Sequence, residues 1–197
     1  AEGLTLTVPC KARDDQQTDH RDSRSANQKD SQNSAPKTLI ENLSFSVTDE
    51  PLLITGPSGV GKSSHVKAIA GLWESGQGTI GCPQLQKASV EGPQLLYLPQ
   101  QPYMTLGTLR QQLLYTEHHR TSAAHNLSDC DLLDILKSVQ LSDFNDLEQV
   151  TDWAEQLSTG EQQRLAFARL LVKKPTSAIL DDATSALSIQ QEKTLYR

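Results

Sequence analysis

The sequence predicts an α/β fold in which a parallel sheet carries the functional loops at its carboxyl edge. Three observations lead to this fold class. A glycine-rich loop at residues 56–63 stands between an apolar run and an amphipathic segment, which is the order strand, loop, helix. A second apolar run, Ala178-Ile179-Leu180, ends in two aspartates, at the edge where open α/β sheets place their ligands. Segments of helical periodicity separate the two runs.

The glycine-rich loop fits the pattern G-x-x-x-x-G-K-[ST] of phosphate-binding loops. Its glycines let backbone N–H groups curl around phosphate oxygens, and the helix that follows adds its positive end. The pattern assigns Lys62 to the β- and γ-phosphates and the Ser63 hydroxyl to Mg²⁺. A turn that fits by chance is the alternative, which the flanking elements disfavour. The predicted nucleotide-binding residues are Gly56, Pro57, Ser58, Gly59, Val60, Gly61, Lys62, Ser63 and Ser64.

Composition and charge narrow the functional classes. The 197 residues suit one domain, or one domain with a subdomain. A net charge of -6 without a long basic run disfavours a nucleic-acid partner. Three cysteines lie too far apart for metal-ligand spacing. The sequence shows no bilayer-length apolar run and no signal peptide, and we expect it to be an excerpt of a longer protein.

The first fifty residues predict strands on either side of a polar segment. Residues 4–8 alternate apolar and polar side chains, as a half-buried strand does. Residues 10–37 are polar and contain no aromatic side chain, so we expect a disordered insertion. Apolar residues return from Thr38 and fit one or two further strands. Residues 1–9 and 38–50 are therefore assigned to a β-subdomain.

The middle of the chain predicts buried strands at residues 52–55 and 95–98, with a short strand at Thr79-Ile80. The helix after the glycine-rich loop carries Val66, Ile69, Ala70 and Leu72 at roughly helical spacing. Residues 108–150 look mostly helical. Within them, one apolar face, capped by Ser128, is formed by Leu132, Ile135, Leu136 and Val139.

A capping box, Ser158 with Glu161, opens a further helix. Its buried side is predicted to carry Leu165, Ala168 and Val172, and it is expected to end before Lys173. Asp181 follows directly at the carboxyl end of the strand at 178–180, and its carboxylate can bind Mg²⁺ directly or through water. A helix-capping aspartate is the alternative for Asp181.

Four motifs follow one another in a fixed order: the phosphate loop, Leu98-Pro99-Gln100, residues 157–164 and residues 178–187. In this order they resemble the nucleotide-binding domain of an ABC transporter. The resemblance covers nearly the whole chain apart from the polar insertion. It implies a P-loop NTPase with a small antiparallel β-subdomain, a RecA-like parallel-sheet core at 51–101 and 160–197 that is incomplete at its C-terminus, and an inserted α-helical subdomain at 102–159.

The resemblance also implies roles for single residues. Gln100 corresponds to the glutamine that senses Mg²⁺ and the γ-phosphate and links to the transport partner, with Gln101 as the alternative. A solvated loop side chain is the other interpretation of either glutamine. The implied metal ligands are Ser63, Gln100 and Asp181, and the implied catalytic residues are Asp182, Lys62 and Gln100.

The capped helix at Ser158 corresponds to the signature of the family. Its free N–H groups suit a γ-phosphate, and by resemblance that phosphate belongs to the nucleotide of the other subunit in a head-to-tail dimer. A purely structural cap is the alternative. The signature contacts are Ser158, Thr159, Gly160 and Glu161, and residues 185–188 resemble the loop that contacts the partner.

Two further stretches, residues 98–110 and Asp152-Trp153, resemble the sequences of subfamily D of the ABC transporters. That group holds the peroxisomal transporters of fatty acids and fatty acyl-CoAs, with members that handle cobalamin and with bacterial relatives. It implies ATP and Mg²⁺ as cofactors, a second nucleotide-binding domain in a homo- or heterodimer, and a membrane domain upstream in the same polypeptide. The expected place is the cytosolic face of a peroxisomal or other organelle membrane in a eukaryote, or of the inner membrane in a bacterium.

The sequence departs from the family pattern at several positions. Asp182 stands where the family has glutamate, which shortens the reach of the carboxylate by roughly 1.5 Å. A misplacement of about 1 Å can cost about a hundredfold in rate, so we expect slow hydrolysis with ATP binding retained. Thr159 replaces the usual glycine. The family often stacks an aromatic on adenine near the end of the first strand, and that place falls at Val8 or in the insertion. Adenine is then held by apolar contact alone or by an aromatic elsewhere in the chain.

The histidines match no role in the family, whose switch histidine would lie beyond Arg197. All five are expected in loops or on the surface: His20, His65, His118, His119 and His125.

Three functions remain open: an ATP-hydrolysing motor domain, a degenerate ATP-binding module that pairs with an active partner, and a soluble non-transport ABC ATPase. Residues 183–187 have the exporter-like form, which disfavours the last.

Overall fold

The computed structural model describes residues 1–7, 38–47, 50–81, 95–115 and 127–196. The chain divides into two compact units, residues 1–81 and 82–197. The expected disordered insertion at 10–37 lies outside the described residues, and so does Val8. The division into a β-subdomain, a core and a helical subdomain stays a prediction.

A three-stranded antiparallel sheet forms the first unit. Strand β1 (Glu2–Thr7) pairs with β2 (Thr38–Leu43) on one side and with β3 (Gly76–Thr79) on the other. Leu4 and Leu6 are buried, as the alternation predicts. Strand β3 covers residues 76–79, whereas the short strand was expected at residues 79–80. Two glycines in β3 allow the chain to approach β1 closely. A Cβ on Gly78 would lie 2.8 Å from the carbonyl oxygen of Gly3.

The buried strand predicted at residues 52–55 is wrong. These residues form no strand, and the side chains of Leu52 and Leu53 are 54% and 83% exposed. A strand exists only through hydrogen bonds to a neighbouring strand. The sheet of this unit consists, within the described residues, of β1, β2 and β3 alone, so the apolar run 52–55 has no strand partner there.

Helix α1 (Lys62–Ile69) follows the glycine-rich loop, as predicted. Leu72 was expected on this helix but lies beyond its end and is exposed. The reason is a Schellman motif: Gly71 adopts φ 74°, its N–H donates to Ala68 O, and the Leu72 N–H donates to Lys67 O at 2.8 Å.

The second unit contains the remaining elements. Its strands are β4 (Leu95–Leu98), β5 (Gly107–Thr108), β6 (Val150–Thr151) and β7 (Ser177–Leu180). Its helices are α2 (Leu109–Leu113), α3 (Asp129–Ser138), α4 (Trp153–Gln156), α5 (Thr159–Lys173) and α6 (Ile189–Leu195).

Strands β4 and β7 pair in parallel, with Leu98 opposite Leu180, which confirms the parallel strand predicted at 178–180. This strand is less buried than expected, since Ala178 is exposed and Ile179 and Leu180 are half-buried. The physical reason is the width of the sheet, which has two strands in the described part of the chain.

The core of this unit lies between the helices. The apolar side of α3 is buried at Leu132 and Leu136 and packs with Leu165 of α5 and with Trp153, as the helical spacing predicts. Ser128 caps α3 through a complete capping box. Residues 116–126 lie outside the described residues, and in the described part of 108–150 the expectation of a mostly helical segment holds for α2 and α3. Turns follow α3, and β5 pairs with β6, because the Trp153 indole donates to Gly107 O at 2.9 Å and holds the two ends together.

Candidate functional site

The glycine-rich loop has the backbone shape that its sequence requires. Gly59 and Gly61 adopt φ values of 78° and 100°, a left-handed region that side chains rarely enter. Gly61 is the N-cap of α1, and among the described residues no side chain caps it. The first N–H groups of α1 therefore remain available, and an anion at this end would satisfy them.

The Lys62 side chain turns back over the loop. Its ammonium donates to the carbonyl oxygens of Gly56 and Pro57, both at 2.8 Å. Ser63 and Ser64 follow on the first turn of α1 and are half-buried. The loop thus presents a positive charge, glycine amides and hydroxyls within one short stretch, which is the donor set a polyphosphate needs.

In the second unit, two loops leave the same edge of the parallel pair. Strand β4 continues into Pro99 and Gln100, and strand β7 continues into Asp181 and Asp182. The Asp181 N–H donates to Leu98 O at 2.9 Å, so the pairing extends one residue beyond the strand. The structure therefore brings Gln100 and the aspartates to one edge, as the sequence predicts for parallel strands.

Asp181 is 8% exposed, and its Oδ2 accepts a hydrogen bond from the Tyr97 hydroxyl at 2.8 Å. Burial, and then the hydrogen bond and charge of Asp181, raise the pKa of Tyr97 above its ordinary value. The phenol therefore stays protonated and donates to the carboxylate. This contact fixes the orientation of Asp181 at the end of β7.

Asp182 differs from its neighbour in both exposure and backbone. Its side chain is exposed, and its φ of 50° lies in the left-handed region, which aspartate tolerates better than most residues. Its carbonyl accepts from Ser185 N at 3.1 Å and opens two successive turns through Leu187. The side chains of Gln100 and Gln101 are both exposed.

The predicted capping box at the start of α5 is present. The Ser158 hydroxyl accepts from the Glu161 N–H, and the Glu161 carboxylate accepts from the Ser158 N–H at 2.8 Å. Hydrogen bonds from Ser158 hold the pKa of Glu161 below its usual range. Thr159 is exposed and Gly160 half-buried in the same turn, and the helix ends at Lys173, one residue later than predicted.

Residues 40–185 match the family described as ABC transporter, which is well over half of the chain. The chain belongs to the ABC transporter family. It is 48% identical over 166 residues to an uncharacterized ABC transporter ATP-binding protein of Synechocystis sp., covering 81% of this chain and 23% of that protein. It is 41% identical over 198 residues to the chloroplastic ABC transporter D family member 2 of Arabidopsis thaliana, covering 81% of this chain and 28% of that protein.

A solved structure of a bacterial Atm1-family ABC exporter with ATP bound resembles this ABC domain in fold. The TM-score is 0.63 at 23% identity, and the match covers 98% of this chain and 32% of that chain. Family membership and this likeness confirm the predicted P-loop NTPase fold, and the relatives confirm the resemblance to subfamily D. The chain spans about a quarter of the length of the curated relatives given above.

Family membership makes this chain an ATP-binding domain of an ABC transporter. In the parts of the chain that the structure describes, no helix is both long enough and apolar enough to cross a bilayer.

The oxygen donors of this ABC domain suit Mg²⁺. Ser63 offers a hydroxyl, Gln100 an amide oxygen and Asp181 a carboxylate. No group of three or more His, Cys, Asp or Glu side chains forms a metal cage within the described ranges. Mg²⁺ usually binds through one or two protein oxygens together with waters and substrate phosphates, so each of these groups, taken by itself, is an oxygen donor of the kind that the ion accepts.

The position of His65 differs from the one expected. It was assigned to a loop or the surface, but it lies on α1 with 3% exposure, packed 5.3 Å from the ring of Phe45. Burial lowers its pKa, which keeps the ring neutral and allows it to pack as an apolar group. The other four histidines lie outside the described residues.

Two residues near the predicted site were missed. Tyr97 was counted as part of an apolar strand, although its hydroxyl holds Asp181. Gln163 is completely buried on α5, where it contacts the loops of Gln100 and Ser185. Gln163 lies on the side of α5 opposite Leu165, Ala168 and Val172, so the predicted apolar face carried no signal for it.

Proposed function

We propose that this chain is the ATP-hydrolysing motor domain of an ABC transporter that powers transport across a membrane. The observation that carries the proposal is the Lys62 ammonium held over a glycine-rich loop whose helix N-terminus remains uncapped. Such a loop binds the phosphates of ATP through its amides and its lysine. Family membership supports the same conclusion.

Roles for the site residues follow from their positions. Residues 56–64 bind the nucleotide, and Lys62 neutralises charge that develops on the phosphates. Ser63, Gln100 and Asp181 hold Mg²⁺, and the Tyr97 hydroxyl keeps the Asp181 carboxylate in place. Asp182 orients the attacking water. Its exposure leaves the carboxylate accessible to a water molecule.

A second copy of the domain completes the enclosure of the nucleotide. The first turn of α5, residues 158–161, contacts the γ-phosphate of the nucleotide that the partner holds. Thr159 is exposed at this end of α5, which supports such a contact. Residues 185–188 face the partner in the same dimer, which is either a homodimer or a heterodimer.

The proposed cargo is a fatty acid or an acyl-CoA-like molecule, because the chain resembles subfamily D in residues 98–110 and at Asp152-Trp153. A membrane domain upstream in the same polypeptide selects it. The ABC domain then lies on the cytosolic face of a peroxisomal or other organelle membrane, or of a bacterial inner membrane. A relative in Synechocystis sp. supports the bacterial alternative, and one named chloroplastic supports an organelle.

A degenerate ATP-binding module is the second candidate. It would bind ATP and hold a partner domain whose own site hydrolyses ATP. Asp182 and Thr159 favour it, since the Asp182 carboxylate is short and its backbone lies in a left-handed conformation. A soluble non-transport ABC ATPase is disfavoured by the net charge of -6 and by the form of residues 183–187.

Replacing the loop lysine tests the motor function. In the full-length protein that contains this chain, Lys62→Ala removes the ammonium from the phosphates. We expect ATP turnover to fall at least ~100-fold, since such groups act mainly by stabilising charge in the transition state. Phosphate release under saturating MgATP measures it.

Lys67→Ala is the matched control, because Lys67 lies on the last turn of the same helix, away from the loop. It should leave turnover within about twofold of the wild type, as surface changes usually do little. Equal turnover in the Lys62 variant and the wild type would contradict the proposed function.

A further inference from the structure

The side chain of Gln163 joins three segments of the second unit. It is fully buried on α5. Its Nε2 donates to the backbone oxygen of Gln100 at 3.0 Å and to the Ser185 hydroxyl at 3.1 Å, while its Oε1 accepts from the Ala186 N–H at 2.9 Å. The two amide hydrogens are therefore used by groups 63 and 22 residues away in sequence, and the oxygen accepts from an N–H 23 residues away.

The first turn of α5 also packs directly on the same loop. A Cβ on Gly160 would lie 3.2 Å from Ala186 O and 3.5 Å from the side chain of Leu187. This contact is independent of the hydrogen bonds of Gln163. The loop 185–187 is thus held to α5 at two points, one turn apart.

Few other hydrogen bonds of the described residues hold this loop. Its own turns join Ser185 to Asp182 and Leu187 to Thr184, and the Thr184 hydroxyl donates to Glu192 of α6 at 3.0 Å. Among the hydrogen bonds of the described residues, only those of Gln163 run from the loop to the segment after β4.

We propose that Gln163 is a positioning residue that links the Gln100 loop and the loop 185–187 to helix α5, so that a displacement of one loop on nucleotide binding is passed to the other. The inference rests on the proposed function, because both loops are assigned there to the nucleotide and to the partner. Gln163 touches no reacting group itself. It acts through the backbone of Gln100 and the N–H of Ala186.

The neighbouring glutamine provides a matched control. The Gln162 amide donates to Ala154 O at 2.9 Å and to Leu157 O at 3.0 Å, both within the chain just before α5. Gln162→Leu therefore removes the same number of donor bonds from the same helix. It leaves the loops of Gln100 and Ser185 untouched.

Hydrogen–deuterium exchange of the full-length protein, without nucleotide, tests the link. In Gln163→Leu we expect exchange to rise at least ~10-fold in peptides spanning Gln100 and in peptides spanning residues 183–188, since exchange reports local opening. In Gln162→Leu the rise should be confined to residues 154–160. A rise in only one of the two loops, or the same pattern in both variants, would overturn the proposal.

Gln163→Glu separates the link from a general loss of folding. It keeps an oxygen for the Ala186 N–H but lacks the amide hydrogens that bind Gln100 and Ser185. We expect exchange of the Ala186 amide to stay near that of the wild type while the Gln100 segment opens. Opening of every segment of the second unit in both Gln163 variants would mean that the residue only stabilises the fold.

Steady-state ATP hydrolysis completes the test. For Gln163→Leu we expect kcat to fall about tenfold or more, because small misplacements of reacting groups are costly, while the Kd for ATP stays within about twofold. An unchanged kcat would overturn the positioning role. Failure of the proposed function would appear differently, as absent hydrolysis in the wild type, and the exchange experiment would still decide the link.

Discussion

Asp182 follows Asp181 at the carboxyl end of β7, and the two carboxylates have different surroundings. Asp181 is buried and accepts a hydrogen bond from Tyr97, whereas Asp182 is exposed and its backbone turns away from the strand at φ 50°. A metal ligand benefits from a fixed orientation, and a residue that orients water needs access to solvent. The two environments agree with the two proposed roles.

We predict that Asp182→Glu raises ATP turnover. The added methylene restores a reach of roughly 1.5 Å, and a correction of that size can change the rate by about tenfold to a hundredfold. Affinity for ATP should not change, because the phosphate loop lies elsewhere in the sequence. Phosphate release by the full-length dimer measures the effect, and a variant that is no faster than the wild type would contradict it.

His65 shows how one residue type has different meanings in different surroundings. Five histidines were assigned to loops or the surface because none matched a role in the family. His65 packs instead on Phe45, on the inner side of α1. A single histidine carries no periodic signal, so a buried ring cannot be told from a solvated one by its place in the sequence.

Helices α3 and α5 begin with complete capping boxes. The box of α5 was predicted from Ser158 and Glu161, and for α3 Ser128 was predicted as the cap. The signal is local, because cap and partner lie within one turn. Helix α1 ends by an equally local rule, the Schellman motif at Gly71. That motif was overlooked, which is why Leu72 was placed on the helix.

At the level of the element, we predict that Ser128→Ala lowers the free energy of unfolding by about 1 kcal/mol, because α3 loses its N-cap. Ser142→Ala, in the exposed turn after α3, is the control and should change it by less than about 0.5 kcal/mol. Chemical denaturation of the purified protein measures both. Equal effects of the two substitutions would contradict the structural role of the cap.

The predicted site residues of the whole chain fall into two groups. The phosphate loop belongs to the first unit, while Gln100, the aspartates and the signature turn belong to the second. The phosphate loop is organised by local rules, whereas Gln100 and the aspartates are brought to one edge by the pairing of β4 with β7. Within the second unit, the side chain of Gln163 adds a connection over a long sequence distance.

At the scale of the whole molecule, we predict that MgATP raises the midpoint of thermal unfolding. A ligand that binds only the folded state stabilises it by about 2.7 kcal/mol at a hundred times its dissociation constant. Differential scanning fluorimetry of the protein with and without MgATP measures the shift. Lys62→Ala should abolish most of it, and a shift of the same size in that variant would show that the loop does not bind the phosphates.

The sequence by itself determined the phosphate loop, the caps of α3 and α5, the apolar face of α3 and the apolar run that ends at Asp181. Each depends on residues within a few positions of one another, so a pattern is enough to reveal it. Tertiary structure alone decided the rest. The exposure of Leu52 and Leu53, the burial of His65, the Tyr97–Asp181 hydrogen bond and the three contacts of Gln163 depend on partners far away in sequence. No local pattern specifies which groups a folded chain brings into contact.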